Sequence, residues 1–186
     1  MSSAWRVHSS KRLLKDCWID LRADDCETPS GHRLNPYYVL GYPDWVHIVA
    51  LTPDRRLVLV RQYRHAGGSE FLELPGGTVD EADPSPMVTA ARELEEETGY
   101  VGMRPKLISS LYANPALQTN RVHVYLVDGA KPSGQLKRDG GEDGMTVHLM
   151  PIPQVVAGLR DGVIGQSLHV ASLLLGLMAA GDLHLG

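Results

Sequence analysis

Three glutamates, Glu93, Glu96 and Glu97, fall within the run Arg92-Glu93-Leu94-Glu95-Glu96-Glu97-Thr98-Gly99. In a helix the offsets i, i+3 and i+4 bring them to one face. Like charges so placed repel by roughly 0.2–0.5 kcal/mol per pair. A hard divalent cation, which takes oxygen ligands, reverses the sign of that interaction. The run is therefore either a metal-binding face or a solvated acidic stripe, the commoner fate of a charge run.

The elements that must position these residues are legible nearby. Ala90, Ala91, Arg92, Leu94 and the glutamates are good helix formers, and Met87 or Val88, Ala91, Leu94 and Thr98 recur at the apolar spacing of a helix. Gly99 suits the left-handed position just past a helix end, while Asp83 or Ser85, beside Pro84 and Pro86, supplies the chemistry of a start. The spacing predicts a helix over 86–98. At ~100° per residue the three carboxylates flank the Leu94 face, where the helix meets the body of the protein, so the site is half-buried. Upstream, Phe71-Leu72-Glu73-Leu74-Pro75-Gly76-Gly77 reads as a strand ending in a glycine turn, where backbone can approach a ligand closely.

Strand, glycine turn, loop and acidic helix together resemble the signature of the Nudix hydrolase family: Gly, five residues, Glu, seven residues, then Arg-Glu-aliphatic-x-Glu-Glu-x-Gly-aliphatic. Gly77 opens the pattern and Arg92-Glu93-Leu94-Glu95-Glu96-Glu97-Thr98-Gly99-Tyr100 closes it, with Tyr100 in place of the final aliphatic residue. The first half departs. Asp83 stands where Glu is expected, and eight residues rather than seven separate it from Arg92. The extra residue falls in Pro84-Ser85-Pro86, which leaves the register from Arg92 onward intact and puts in doubt a metal contact from position 83. Val58-Leu59-Val60-Arg61-Gln62-Tyr63-Arg64, Glu73-Leu74-Pro75-Gly76-Gly77 and Pro115, fifteen residues past Tyr100, are similar to the branch that cleaves ADP-ribose and nucleoside diphosphate sugars. The resemblance spans roughly residues 40 to 180.

Composition agrees with one enzyme domain. The 186 residues, 43% hydrophobic and 22% charged, are enough for a core. A net charge of −4 and the lack of a basic run argue against nucleic acid as the main partner, though not against a nucleotide. The first thirty residues contain Lys11, Arg12, Lys15 and Asp16 and no apolar stretch of signal length, and nowhere do eighteen apolar residues run uninterrupted, so neither a leader nor a membrane span is expected and the reading is a cytoplasmic protein. In that reducing compartment Cys17 and Cys26 are expected as free thiols.

Residues 1–40 carry short alternating runs such as Cys17-Trp18-Ile19-Asp20-Leu21-Arg22, broken by Pro29-Ser30-Gly31, and read as a small antiparallel sheet. Residues 41–186 form the expected Nudix domain. Strands over 45–51 and 56–63 make a core hairpin through the turn Thr52-Pro53-Asp54-Arg55. Further strands are expected at 106–112, 121–127 and 145–150, with helices at 153–159 and 168–180. The fold class is α/β: an α/β/α sandwich with a mixed sheet, plus the small N-terminal antiparallel sheet. In the family, that first sheet packs onto a partner subunit and helps complete the pocket, so the resemblance implies a homodimer; the other reading is that 1–40 covers its own subunit.

The resemblance implies Mg²⁺ or Mn²⁺ as cofactor, held by Glu93 and Glu97, by Glu96, and by the Gly76 carbonyl. Oxygen-only ligands suit these hard ions. Arg92 orients the carboxylates through paired hydrogen bonds or is an ordinary surface i, i+4 partner of Glu96. The general base in this branch comes from a loop before a late strand, here Arg138-Asp139-Gly140-Gly141-Glu142-Asp143-Gly144, with Glu142 the first choice and Asp143 next. Glycines in that loop would let it close over substrate. Arg64 matches an arginine that contacts the phosphate or ribose side of the substrate. Arg61 reads as a pleat-edge charge, Glu73 as a substrate-side acid or a strand-end ion pair, and His123 as a sheet histidine. Asn114-Pro115 and Asn120-Arg121 are candidates to line the sugar pocket. The implied activity is metal-dependent hydrolysis of the diphosphate linkage of ADP-ribose or a related nucleoside diphosphate sugar. The alternative is a nucleotide-sensing module that has kept the fold and lost turnover, raised by Asp83 and the longer loop and opposed by the retention of Glu93, Glu96 and Glu97.

Overall fold

The computed structural model describes residues 4–134 and 143–184. The chain divides into two compact units, Met1–Pro43 with Tyr112–Arg121, and Asp44–Leu111 with Val122–Gly186.

In the first unit, β1 (Arg6–Lys15), β2 (Asp20–Glu27) and β3 (Arg33–Gly41) form an antiparallel sheet in the order β1-β2-β3. The segment 112–121 is laced to β3: Leu40 N–H donates to the Leu117 carbonyl at 2.8 Å, Thr119 N–H to Leu40 O at 3.1 Å, and the Tyr37 hydroxyl to Ala116 O at 2.7 Å. All ten residues of β1 are exposed, as alternation with few apolar partners dictates.

The second unit is built on β4 (Trp45–Leu51), β5 (Arg56–Arg64), β6 (Ser69–Glu73), β7 (Gly76–Thr78), β8 (Tyr100–Val101), β9 (Lys106–Tyr112), β10 (Arg121–Asp128), β11 (Lys131–Pro132) and β12 (Thr146–Pro151), with helices α1 (Pro86–Thr98), α2 (Ile152–Gly158) and α3 (Ser167–Ala180). Seven strands make a mixed sheet. Its main path is β12-β5-β4-β10-β9, with β6 added to β5 and β7 to β4; β10 runs parallel to β4, while β5, β7 and β12 make antiparallel pairs. The β4–β5 hairpin is paired only at Ala50–Val58 and Leu51–Leu57, because β7 takes the other end of β4.

Period-two alternation places successive side chains on opposite faces, and β4 shows the consequence. Val46, Ile48 and Ala50 pack with Val58, Tyr125 and Val127 around Ala90 and Leu94 of α1. Val49 and Leu51 pack with Leu57, Leu59, Val124 and Leu126 around Val155 of α2 and Leu173 and Leu177 of α3. The sheet is thus buried on both faces, which is why its central strands read as near-continuous apolar runs. Helix α1 occupies the range expected, and Gly99 caps it in the left-handed conformation with φ +69°. Ser85 is its N-cap residue, yet its hydroxyl makes no capping bond; its backbone carbonyl instead accepts from Val88 and Thr89 N–H. Helices α2 and α3 lie within a residue of their expected bounds at either end. The two-residue strands β8 and β11, paired to each other, were too short to carry a periodic signal.

Candidate active site

Helix α1 carries the acidic run, and its charges are paired unequally. Arg92 sits at the centre. Its Nη1 donates to Glu96 Oε2 at 2.7 Å, and its Nη2 lies 3.0 Å from both Asp83 Oδ2 and Glu93 Oε1. Burial pulls the guanidinium pKa down, but the hydrogen bonds to Asp83 and Glu96 and the charges of Glu93 and Asp83 outweigh it and leave the group still more basic than usual. Hydrogen bonds from Arg92 and Thr89 hold the Asp83 carboxyl below its ordinary range. The i, i+4 pair with Glu96 exists, and it is one arm of a larger clamp. Asp83, the residue where the motif departs, spends its carboxylate on Arg92 and on the Thr89 hydroxyl at 2.9 Å.

Glu97 is buried, and its Oε2 accepts from Gly76 N–H at 2.8 Å. Glu93, one turn earlier, presses against Gly77: a methyl group on Gly77 would lie 2.5 Å from a Glu93 carboxylate oxygen. Gly76 is equally confined, since a methyl there would run into the Val46 carbonyl oxygen. These glycines do not form the expected turn. They lie in β7, in register with Val46 and His47 of β4, and the chain bends earlier, at Leu74-Pro75. Their missing side chains serve close approach of backbone to carboxylate instead of a left-handed conformation.

Next to this lies a cleft of about 500 Å³, lined among others by Trp45, Arg64, Phe71, Glu73, Gly76 and Gly77. Glu73 is 1% exposed. Its carboxylate accepts from Arg64 Nη2 at 2.7 Å, Arg64 Nε at 3.1 Å and Gln62 Nε2 at 3.0 Å. A buried carboxylate so satisfied holds the guanidinium in a fixed plane, with Nη1 uncommitted among the described residues. Arg64 and Glu73 are thus brought together at the cleft wall, the carboxylate buried and the guanidinium half-exposed. Arg61 occupies a mid-strand position opposite Leu72 and Thr146.

Sequence reasoning missed two residues here. His47 on β4 and His169 on α3 are both buried and stack in the cleft wall, with ring centroids 4.0 Å apart. Leu74 N–H donates to His169 Nδ1 at 3.2 Å, and His47 Nδ1 is 2.9 Å from Ser172 Oγ. Burial, and then the neighbouring Arg64 charge, lower the His169 pKa to about 3; burial, and then His169, push His47 well below its ordinary value. His123 is a sheet histidine bonded through Nε2 to Asp44 Oδ2 at 2.9 Å.

Of the candidate base loop, Glu142 and residues 138–141 lie outside the described residues; Asp143 is exposed and precedes Gly144 with φ +80°. Pro115 falls in the turn following Asn114, whose carbonyl accepts from Leu117 and Gln118 N–H within the first unit. Also in that unit, the Arg121 guanidinium lies 4.2 Å from the Tyr112 ring centroid. Cys17 and Cys26 are free thiols, the latter buried.

Among the described residues no three acidic or imidazole groups gather into one ligand shell, because Glu96 is drawn to Arg92 and Glu97 to the Gly76 amide. The donors nevertheless suit a hard cation. Glu93 and Glu97 stand one turn apart on α1, both largely withdrawn from solvent, and both face glycine backbone where no side chain intrudes.

The NUDIX domain family model matches residues 41–167, and a nucleoside diphosphate sugar hydrolase N-terminal domain matches residues 5–40. The chain belongs to the NUDIX domain family and is a Nudix hydrolase. It is 32% identical over 166 residues to the ADP-ribose pyrophosphatase of Mycobacterium tuberculosis, covering 89% of this chain and 80% of that protein. To the ADP-ribose pyrophosphatase of Bacillus subtilis it is 33% identical over 110 residues, 59% of this chain and 58% of that one. A crystal structure of an ADP compounds hydrolase aligns over 96% of this chain and 97% of its own with a TM-score of 0.81; at 21% identity, this is a likeness of fold.

Proposed function

We propose that this Nudix hydrolase cleaves the diphosphate linkage of ADP-ribose or a related nucleoside diphosphate sugar, giving a nucleoside monophosphate and a sugar phosphate. The observation that carries the reading is the contact of Glu93 and Glu97 with the Gly76-Gly77 backbone at the edge of the cleft. Glu93 and Glu97, with Glu96 and the Gly76 carbonyl, hold Mg²⁺ or Mn²⁺. When bound, the ion neutralises diphosphate charge and polarises the phosphoryl group. Arg92 keeps the carboxylates aimed, anchored in turn by Asp83. Arg64, set in its plane by Glu73, takes the phosphate or ribose side of the substrate, and Pro115 contributes to the sugar side. Glu142, or else Asp143, accepts the proton of the attacking water.

A module that has lost turnover was suggested by position 83. The bonds that Arg92 and the Thr89 hydroxyl donate to Asp83 weaken that alternative, because the departure from the motif keeps an anchoring role.

Residues 1–40 act as a subdomain for dimerisation and substrate binding within a homodimer, a reading supported by the exposed apolar side chains Val7, Leu13, Leu14 and Trp18. Sedimentation at micromolar concentration tests it, a monomer speaking against it. No helix of the described residues is long and apolar enough to cross a membrane; the free thiols support a cytoplasmic setting.

Release of AMP from ADP-ribose, with and without Mg²⁺, tests the activity, and a panel of sugar nucleotides under one metal condition ranks the substrates. Metal-dependent release from at least one is expected. No release from any, with either Mg²⁺ or Mn²⁺, contradicts the reading.

A further inference from the structure

The two stacked imidazoles have no part in the chemistry proposed above. His169 is 4% exposed and His47 6%, their rings are 15° from parallel, and both border the cleft beside Arg64, Glu73 and Gln166. Leu74 N–H donates to His169 Nδ1. A neutral imidazole nitrogen that accepts a hydrogen bond carries no proton, so the ring proton sits on Nε2. No acceptor among the described residues lies within hydrogen-bond distance of Nε2; Glu73 Oε2 stands 3.9 Å away, and that carboxylate is already engaged by Gln62 and Arg64. His47, tied through Nδ1 to Ser172, lies flat against the His169 ring and limits its rotation. The result is a directed donor held in the cleft wall with no partner in the described protein. A donor so placed offers its hydrogen bond to a ligand that enters the cleft.

We infer that His169 Nε2–H is a specificity-determining contact for an uncharged acceptor on the ligand, a carbonyl oxygen, ring nitrogen or hydroxyl of its nucleoside or sugar part. The inference rests on the nucleoside diphosphate sugar reading. A neutral acceptor fits better than phosphate because the ring is uncharged and the Glu73 carboxylate stands beside it, while Arg64 already provides the cation for an anionic group. A site that hydrogen-bonds a substrate group rejects an analogue lacking that group, since the protein donor is then left unpaired.

Two substitutions separate this role from packing. In His169→Asn the amide oxygen can keep the bond from Leu74 N–H but nothing reaches the Nε2 position; in His169→Gln the amide nitrogen restores a donor there. His169→Asn is expected to fold and to raise KM for the best sugar nucleotide about tenfold with little change in kcat, and His169→Gln to recover most of that loss. An unchanged KM in His169→Asn, or an equal loss of kcat and thermal stability in both variants, overturns the inference. Histidine ¹⁵N spectra of the wild-type protein give a second reading that needs no variant. A bare Nδ1 and protonated Nε2 at His169, with the Nε2–H resonance moving when a non-hydrolysable ADP-ribose analogue is added, supports the proposal. An Nδ1–H tautomer or an unmoved resonance contradicts it. Should the wild-type protein turn over no sugar nucleotide, the functional reading fails, and these spectra, repeated with AMP and with ribose 5-phosphate as the added ligands, still decide the His169 contact.

Discussion

The short backbone stretch from Leu74 to Gly76 is gripped from two sides by opposite chemistries. Helix α1 presents a carboxylate, Glu97, to the Gly76 amide, and helix α3 presents a neutral imidazole, His169, to the Leu74 amide. On the α1 side, Arg92 pairs with Asp83, Glu93 and Glu96, and the Gly76 amide donates to Glu97. On the α3 side, the one nearby carboxylate among the described residues, Glu73, is already paired with Arg64, and burial together with the Arg64 charge disfavours an imidazolium, so both rings stay neutral. The difference teaches that one backbone stretch can carry a charged wall, the α1 carboxylates against Gly76-Gly77, beside an uncharged wall, the imidazole pair lining the cleft, because each wall has its own helix.

The largest expected effect comes from breaking the charged wall. Glu97→Gln keeps an acceptor for Gly76 N–H but removes charge, and should lower kcat by about a thousandfold while leaving the thermal midpoint nearly unchanged; an unaltered rate discards Glu97 as a ligand. Arg92→Ala releases Asp83, Glu93 and Glu96 together and should cost about ten- to a hundredfold in kcat/KM, with a rise in the metal concentration needed for half-maximal rate. Gly77→Ala pushes a methyl into the Glu93 carboxylate and should lower kcat by about tenfold through misplacement alone; wild-type kinetics would show that the close approach is dispensable.

The neutral wall is sharpened by pH. For each ring the folded pKa lies below the ordinary value of 6.5, so the unfolded chain binds the proton first as pH falls. The stability that neutrality supports is complete above that value and declines below it, down to about 3 for His169, at up to about 1.4 kcal/mol per pH unit for each proton taken up. Urea unfolding at pH 7, 6 and 5 measures this slope, and His169→Asn should flatten it.

How far each wall was legible follows from where its residues lie in the chain. Glu93, Glu96, Glu97 and Gly99 belong to one helix, so their spacing alone gave its bounds, its face and its cap. The central strands announced themselves as apolar runs because both faces of the sheet are covered. The histidine wall was not legible: His47 and His169 lie on β4 and α3, far apart in sequence, and meet only through tertiary packing. The Gly76-Gly77 pair misled in a different way, since glycine marks a turn and a close backbone approach equally well, and only the pairing of β7 with β4 distinguishes them. The role of Asp83 was hidden because its partner, Arg92, is reached across a loop longer than the motif allows.

The central claim is that the crowded carboxylates of α1 hold a divalent cation. Isothermal titration of Mg²⁺ and of Mn²⁺ into the wild-type protein and into Glu97→Gln, each with and without AMP, tests it most directly. Saturable uptake by the wild type that is lost or greatly weakened in Glu97→Gln is the expected result. No uptake by the wild type under any of these conditions, or equal uptake by both proteins, contradicts it.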